Sequence, residues 1–171
     1  MIGYLKGTLL HMESDSILLL VGGLGYEILL NPQMMEKLKS KNGMIDGDVC
    51  LYVYYHQTER QPKPVLIGFE TREDKAFFQT FITVDAIGPM KAVKAMTCPT
   101  EEIAAAIEKK DVQFLSTLSG IGKRTAEKII ATLHGKVERF VKIGSADPVA
   151  AEDDLFEERQ DITVQVQDVL V

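Results

Sequence analysis

The apolar pattern of this chain changes its period at Thr71, and no other feature limits the fold so strongly. Before that point, runs rich in Leu, Ile, Val and Tyr are broken every few residues by Gly, Asn, Asp or Pro, the punctuation of short strands. Strands are expected over 2–10, 16–21, 25–30, 49–56 and 64–69, with a short helix over 32–41 between the third and fourth. Gly22-Gly23 signals a hairpin, and Lys41-Asn42-Gly43 and Asp46-Gly47-Asp48 signal turns. Five strands with that interruption suit a small OB-fold β-barrel. After Thr71, apolar residues at Phe77, Phe78, Phe81, Ile82 and Val84, then Ile103, Ala106 and Ile107, recur at helical spacing. Helices are expected over 71–82, 88–97, 100–108, 111–117 and 123–134. Thr71 and Thr100, each with acids in the turn that follows, read as N-caps. The class is α+β and multi-domain, with a barrel over 1–68 and an all-α domain over 69–140.

Charge is as unevenly distributed as periodicity. The net charge of −6 and pI of about 5.1 argue, as averages, against a polyanionic partner. Residues 144–171 hold eight acids against Arg159, so that segment carries −7 and the rest of the chain +1. With Asp147-Pro148 it reads as an acidic flexible linker over 141–160, and 161–171 as the start of a third domain, cut short. Within 120–142, by contrast, Lys123, Arg124, Lys128, Lys136, Arg139 and Lys142 face only Glu127 and Glu138. A phosphate senses that local balance. Cys50 and Cys98 lack CxxC spacing, no secretory apolar region opens the chain, and the run 17–21 is too short to span a bilayer. A reduced, cytoplasmic protein is expected. His11, His56 and His134 have no metal-ligand spacing, and neither metal nor cofactor is expected.

The segment from Leu115 to Ile130 places Gly120-Ile121-Gly122 between two short amphipathic helices. Gly120 can adopt the positive φ that a tight interhelical turn needs, and Ile121 can fill the gap between the helices. Gly122 lets the backbone approach a bulky anion. The amides of Gly122, Lys123 and Arg124 then open the next helix, where unsatisfied N–H groups and the positive dipole end attract phosphate. Lys123, Arg124 and Lys128 add charge, Thr125 a hydroxyl, and Ala126 room for close packing. This is the pattern of a helix-hairpin-helix. A weaker copy lies 34 residues upstream, with Ile87, Gly88 and Ala92 in register and Pro89, Met90 and Lys91 opening the helix. There Ala86 stands where the first glycine belongs, so the turn is expected to be strained or differently shaped. Two copies would grip spaced phosphates without reading sequence. A P-loop is excluded because Thr117 replaces its first glycine and Arg124 its magnesium-binding hydroxyl. A dinucleotide fingerprint is excluded because a helix precedes Gly120. A glycosylase would need a catalytic Asp after the hairpin, which 133–144 lacks.

These residues, with Met1-Ile2-Gly3-Tyr4-Leu5-Lys6-Gly7, the Val21-Gly22-Gly23-Leu24-Gly25-Tyr26-Glu27 hairpin and Leu66-Ile67-Gly68-Phe69, resemble the RuvA family over about residues 1–140. The resemblance implies a non-catalytic scaffold for four-way junction DNA, a homotetramer, and a RuvB-type ATPase and RuvC-type resolvase as partners. The family's paired carboxylates in the loop before the last strand are replaced here by 57–64, with Glu59 alone beside Arg60 and Lys63. That loop is expected to aid binding rather than part strands. The alternative is a generic duplex-binding or interaction module.

Overall fold

The computed structural model describes residues 1–40, 48–59 and 61–141. The turn signals at 41–43 and 46–47, the linker from 142 onward and the third-domain start lie outside the described residues. Five strands, β1 Tyr4–Met12, β2 Ser16–Val21, β3 Leu24–Leu30, β4 Val49–Thr58 and β5 Gln61–Phe69, close a barrel in the order β1-β2-β3-β5-β4. All neighbours are antiparallel except β3 and β5, which run parallel through Ile28↔Leu66, Leu29↔Ile67 and Leu30↔Gly68. This is the OB-fold arrangement that the strand count suggested.

Register follows from the glycines and from side-chain alternation. Val21 pairs with Leu24 across Gly22 (φ 56°) and Gly23 (φ 86°), the two positive-φ residues that a tight primed turn requires. Ile17, Leu19, Ile28, Leu51 and Val53 point inward and are buried. Helix α1, Pro32–Ser40, adds Met34, Met35 and Leu38 to the same core and is capped by Asn31, whose side chain accepts from the Met34 amide at 2.7 Å.

The helical part comprises α2 Arg72–Phe81, α3 Pro89–Ala95, α4 Thr100–Glu108, α5 Val112–Leu115, α6 Lys123–Leu133 and α7 Glu138–Val141. Ile67 and Phe69 of β5 belong to its core, and Phe78 of α2 meets Phe69 at 4.9 Å and Tyr54 at 5.2 Å between ring centroids. Helix α2 therefore packs directly on the β4–β5 side of the barrel.

Several local expectations are corrected. Thr71 caps α2 as expected, accepting from the Asp74 amide at 3.0 Å. Thr100 does not cap α4: Pro99 holds the N-cap position, and the buried Thr100 hydroxyl donates to Asp74 at 2.6 Å. A buried hydroxyl must find a partner, and Asp74 supplies one that ties α4 to the start of α2. Helix α5 ends at Leu115, because Ser116 and Thr117 turn their hydroxyls back onto the Val112 and Phe114 carbonyls. Helix α7 has no counterpart among the expected helices; its signal is the buried pair Val137 and Phe140, and Phe140 meets Phe77 edge-on at 5.4 Å.

The cysteines are both free, and burial, aided by Glu102, pushes the Cys98 thiol up to about 11. A Cβ on Gly7 would overlap the Leu20 carbonyl oxygen and approach Val21 Cγ2 to 2.8 Å, whereas one on Gly3 would meet nothing within 4 Å. Gly7→Ala is therefore expected to lower unfolding free energy by about 2 kcal/mol or more, since a backbone group must move. Gly3→Ala should stay within about 0.5 kcal/mol. Urea unfolding of the two variants checks the contrast.

Candidate nucleic-acid interface

Two helix–turn–helix units, α2 to α3 and α5 to α6, repeat one another at an offset of 34 residues. Phe81, Val84, Ile87, Ala92 and Ala95 are buried, and so are Leu115, Leu118, Ile121, Ala126 and Ile129 at the matching positions. The turns share their hydrogen bonds. Ile87 donates to Val84 at 2.8 Å and Ile121 to Leu118 at 3.0 Å, while Ala92 donates to Gly88 and Ala126 to Gly122, each at 2.9 Å. Thr83 and Thr117 both fold their hydroxyls onto the carbonyl three residues back, each at 2.7 Å. This matched threonine pair is not among the expected features, although its spacing equals that of the glycines.

The next-helix glycines adopt nearly the same conformation, φ −87° and ψ 169° at Gly88, φ −88° and ψ 170° at Gly122. That is ordinary extended backbone, open to any residue. An added Cβ would meet nothing within 4 Å at either position. Neither internal packing nor backbone strain asks for glycine there. What glycine gives is an unobstructed approach to the amides that follow. In the second unit the first intrahelical bond comes from Ala126, so the Lys123 and Arg124 amides stand ahead of it at the helix start.

The units differ in three respects. Gly120 takes φ 74°, but Ala86 keeps a negative φ, so the first turn is differently shaped rather than strained by a left-handed alanine. Second, Pro89 and Met90 occupy the positions of Lys123 and Arg124. Third, Lys91, half-buried, donates to the Ala86 carbonyl at 3.4 Å, and its stem lies over Gly120.

Of the candidate residues, Gly88, Met90, Gly120, Gly122, Lys123, Arg124 and Lys128 are exposed, and Pro89 and Thr125 are half-buried. Ile121 is buried, so its side chain plugs the turn and does not face outward. Among the described residues, Lys123, Arg124 and Lys128 make no ion pair. An open depression of about 410 Å³, lined by Lys110, Val112, Glu127, Ile130, Ala131 and His134, lies on the flank of α6 and includes no residue of the turn.

The loop over 57–64 is corrected. Strands β4 and β5 stay paired as far as Thr58↔Gln61, with a bulge after His56, leaving only Glu59 and residue 60 between them. Prolines lack a ladder donor, and the bulge absorbs Pro62 to Pro64 without breaking the hairpin. Glu59 is exposed at its tip. Lys63 belongs to β5, its Nζ 3.9 Å from Glu27, and Arg60 lies outside the described residues.

No group of three His, Cys, Asp or Glu among the described residues is placed to hold a metal, and no described helix is long and apolar enough to cross a membrane.

Comparison with known proteins agrees with this geometry. The family description "RuvA N terminal domain" matches residues 1–63, and "SAM-like Helix-hairpin-helix tandem" matches 78–134. The Holliday junction branch migration complex subunit RuvA of Desulforapulum autotrophicum is 53% identical, with all of this chain and 81% of the relative covered. The subunit of the same name from Desulfosudis oleivorans is 50% identical over 96% of this chain and 80% of its own length. That from Desulfatibacillum aliphaticivorans is 51% identical over 86% of this chain and 71% of its own.

Proposed function

The chain belongs to the RuvA family, and on that premise we propose that it is a non-catalytic scaffold that holds Holliday junction DNA for branch migration. The motor chemistry belongs to a RuvB-type ATPase, and a RuvC-type resolvase is the other partner this family implies. The observation that carries the reading is the pair of open glycines, Gly88 and Gly122, whose conformation and surroundings give no internal reason for glycine. A phosphodiester backbone is the ligand such sites suit, since it presents a bulky anion to a helix start.

The second unit is the stronger electrostatic grip. Gly122, Lys123, Arg124 and Thr125 would meet one phosphate run, with Lys128 one turn along; Gly120 and Ile121 shape the turn. The first unit would contribute through Gly88, Pro89 and Met90, with less charge. These contacts position the duplex and carry no sequence preference. The domains at 1–68 and 69–140 then divide the work between assembly and DNA.

Assembly as a homotetramer follows from the number of arms: one chain offers two hairpins, whereas an open junction presents four equivalent duplexes. Leu10, Leu18 and Leu24 remain exposed on the outer barrel at 52%, 37% and 62%, apolar surface of the kind that subunit contact covers.

Lys123→Glu with Arg124→Glu should weaken junction affinity by about tenfold or more, roughly 1.4 kcal/mol per factor of ten, without unfolding the chain. The dependence on salt should become shallower by roughly 0.9 in log–log slope for each phosphate that is no longer neutralised. Fluorescence anisotropy across a salt series reads both, and unchanged affinity at moderate salt would remove this unit as the grip. Light scattering should give about four times the 19.0 kDa chain mass. Monomers alone at micromolar concentration, with and without junction DNA, would contradict the tetramer.

A further inference from the structure

We infer that Lys91 is a positioning residue that compensates for the missing glycine at Ala86 and ties the two hairpin turns into one rigid grip, an inference that rests on the hairpin reading above.

In the second unit the positive φ of Gly120 sets the peptide between the helices. Alanine resists that conformation, and Ala86 keeps a negative φ, yet the Ile87 to Val84 bond and the burial of Ile87 survive. The first turn reaches the same end by a different backbone path, and the Ala86 carbonyl along that path accepts from Lys91 Nζ at 3.4 Å. The second unit has Thr125 at the matching position and no such tether in its side-chain hydrogen bonds among the described residues.

The same side chain reaches the other turn. Lys91 Cε and Cγ lie 3.9 and 4.0 Å from where a Cβ of Gly120 would stand, so the lysine stem runs beside the second turn. One half-buried lysine thus holds the first turn by its ammonium and lays its methylenes alongside the second, the division of labour that a long amphipathic side chain permits. Among the described residues no carboxylate pairs with it. A rigid spacing between two phosphate grips lets the second engage without further ordering, so loosening it weakens binding even where every residue touching DNA is intact.

The test is a double-mutant cycle of Lys91→Met and Ala86→Gly, measured by junction anisotropy across a salt series beside the Lys123→Glu/Arg124→Glu variant. Methionine keeps the stem and removes the ammonium; glycine lets the first turn adopt the path of the second. Lys91→Met should weaken affinity about fivefold in the wild-type background and less than about twofold in the Ala86→Gly background, with the salt slope unchanged in both. Equal weakening in the two backgrounds with a slope shallower by about 0.9 would make Lys91 a direct phosphate contact and overturn the inference. Unchanged affinity in both backgrounds would overturn it as well. A weak Lys123→Glu/Arg124→Glu variant beside either result leaves the grip standing, whereas an unimpaired one removes the grip and this inference together.

Discussion

The proposed DNA-binding face depends on apolar packing inside the two helical turns. Ile87 and Ile121 are buried at the centre of each turn, between Val84 and Ala92 in one unit and Leu118 and Ala126 in the other. Burying a side chain of that size contributes about 1.5–3 kcal/mol. An exposed cation facing a phosphate through solvent contributes on the order of 1 kcal/mol. The larger effect sets where the following helix begins, and the smaller one acts only once that start is aimed. Phe77, Phe78 and Phe81 extend the same core to Phe69 at the end of β5, so the grip is continuous with the barrel wall.

An acidic protein can hold DNA because its charge is segregated. The cations of the second hairpin stand at the helix start, unpaired among the described residues, while most of the excess acid lies in 144–171. At physiological ionic strength charges farther apart than about 8 Å are largely screened, so a phosphate responds to the charges beside it rather than to the chain average. The units are also unequal. Met90 is exposed where Arg124 is in the second unit, so in the proposed grip the first hairpin would act through backbone and shape.

What the sequence disclosed was whatever depends on local chemistry. The change of period at Thr71, the Gly22-Gly23 turn and the Gly120-Ile121-Gly122 hairpin each act within a few residues, and each lies where expected. What it withheld depends on distant partners. Thr100 looks like a cap until Asp74, 26 residues away, is seen to accept its hydroxyl. At Ala86 the sequence leaves a strained and a differently shaped turn both open, and only its negative φ decides for the second. Residues 57–64 read as a loop by resemblance, but the strands stay paired as far as Thr58↔Gln61 and a bulge accommodates the residues between that pair and His56↔Val65. The four residues of α7 are too few for a period, and only Phe140 against Phe77 reveals why they form a helix.

If the paired hairpins serve a Holliday junction scaffold, they must favour the geometry of a four-way junction over duplex DNA in general. Competition in a gel-shift assay at fixed salt addresses this preference, with labelled junction bound by the protein and unlabelled junction or linear duplex of equal length and composition as competitor. Linear duplex is expected to compete at least about a hundredfold less well, a difference of roughly 2.8 kcal/mol. Equal competition by the two DNAs would contradict the junction scaffold and identify a general duplex-binding module.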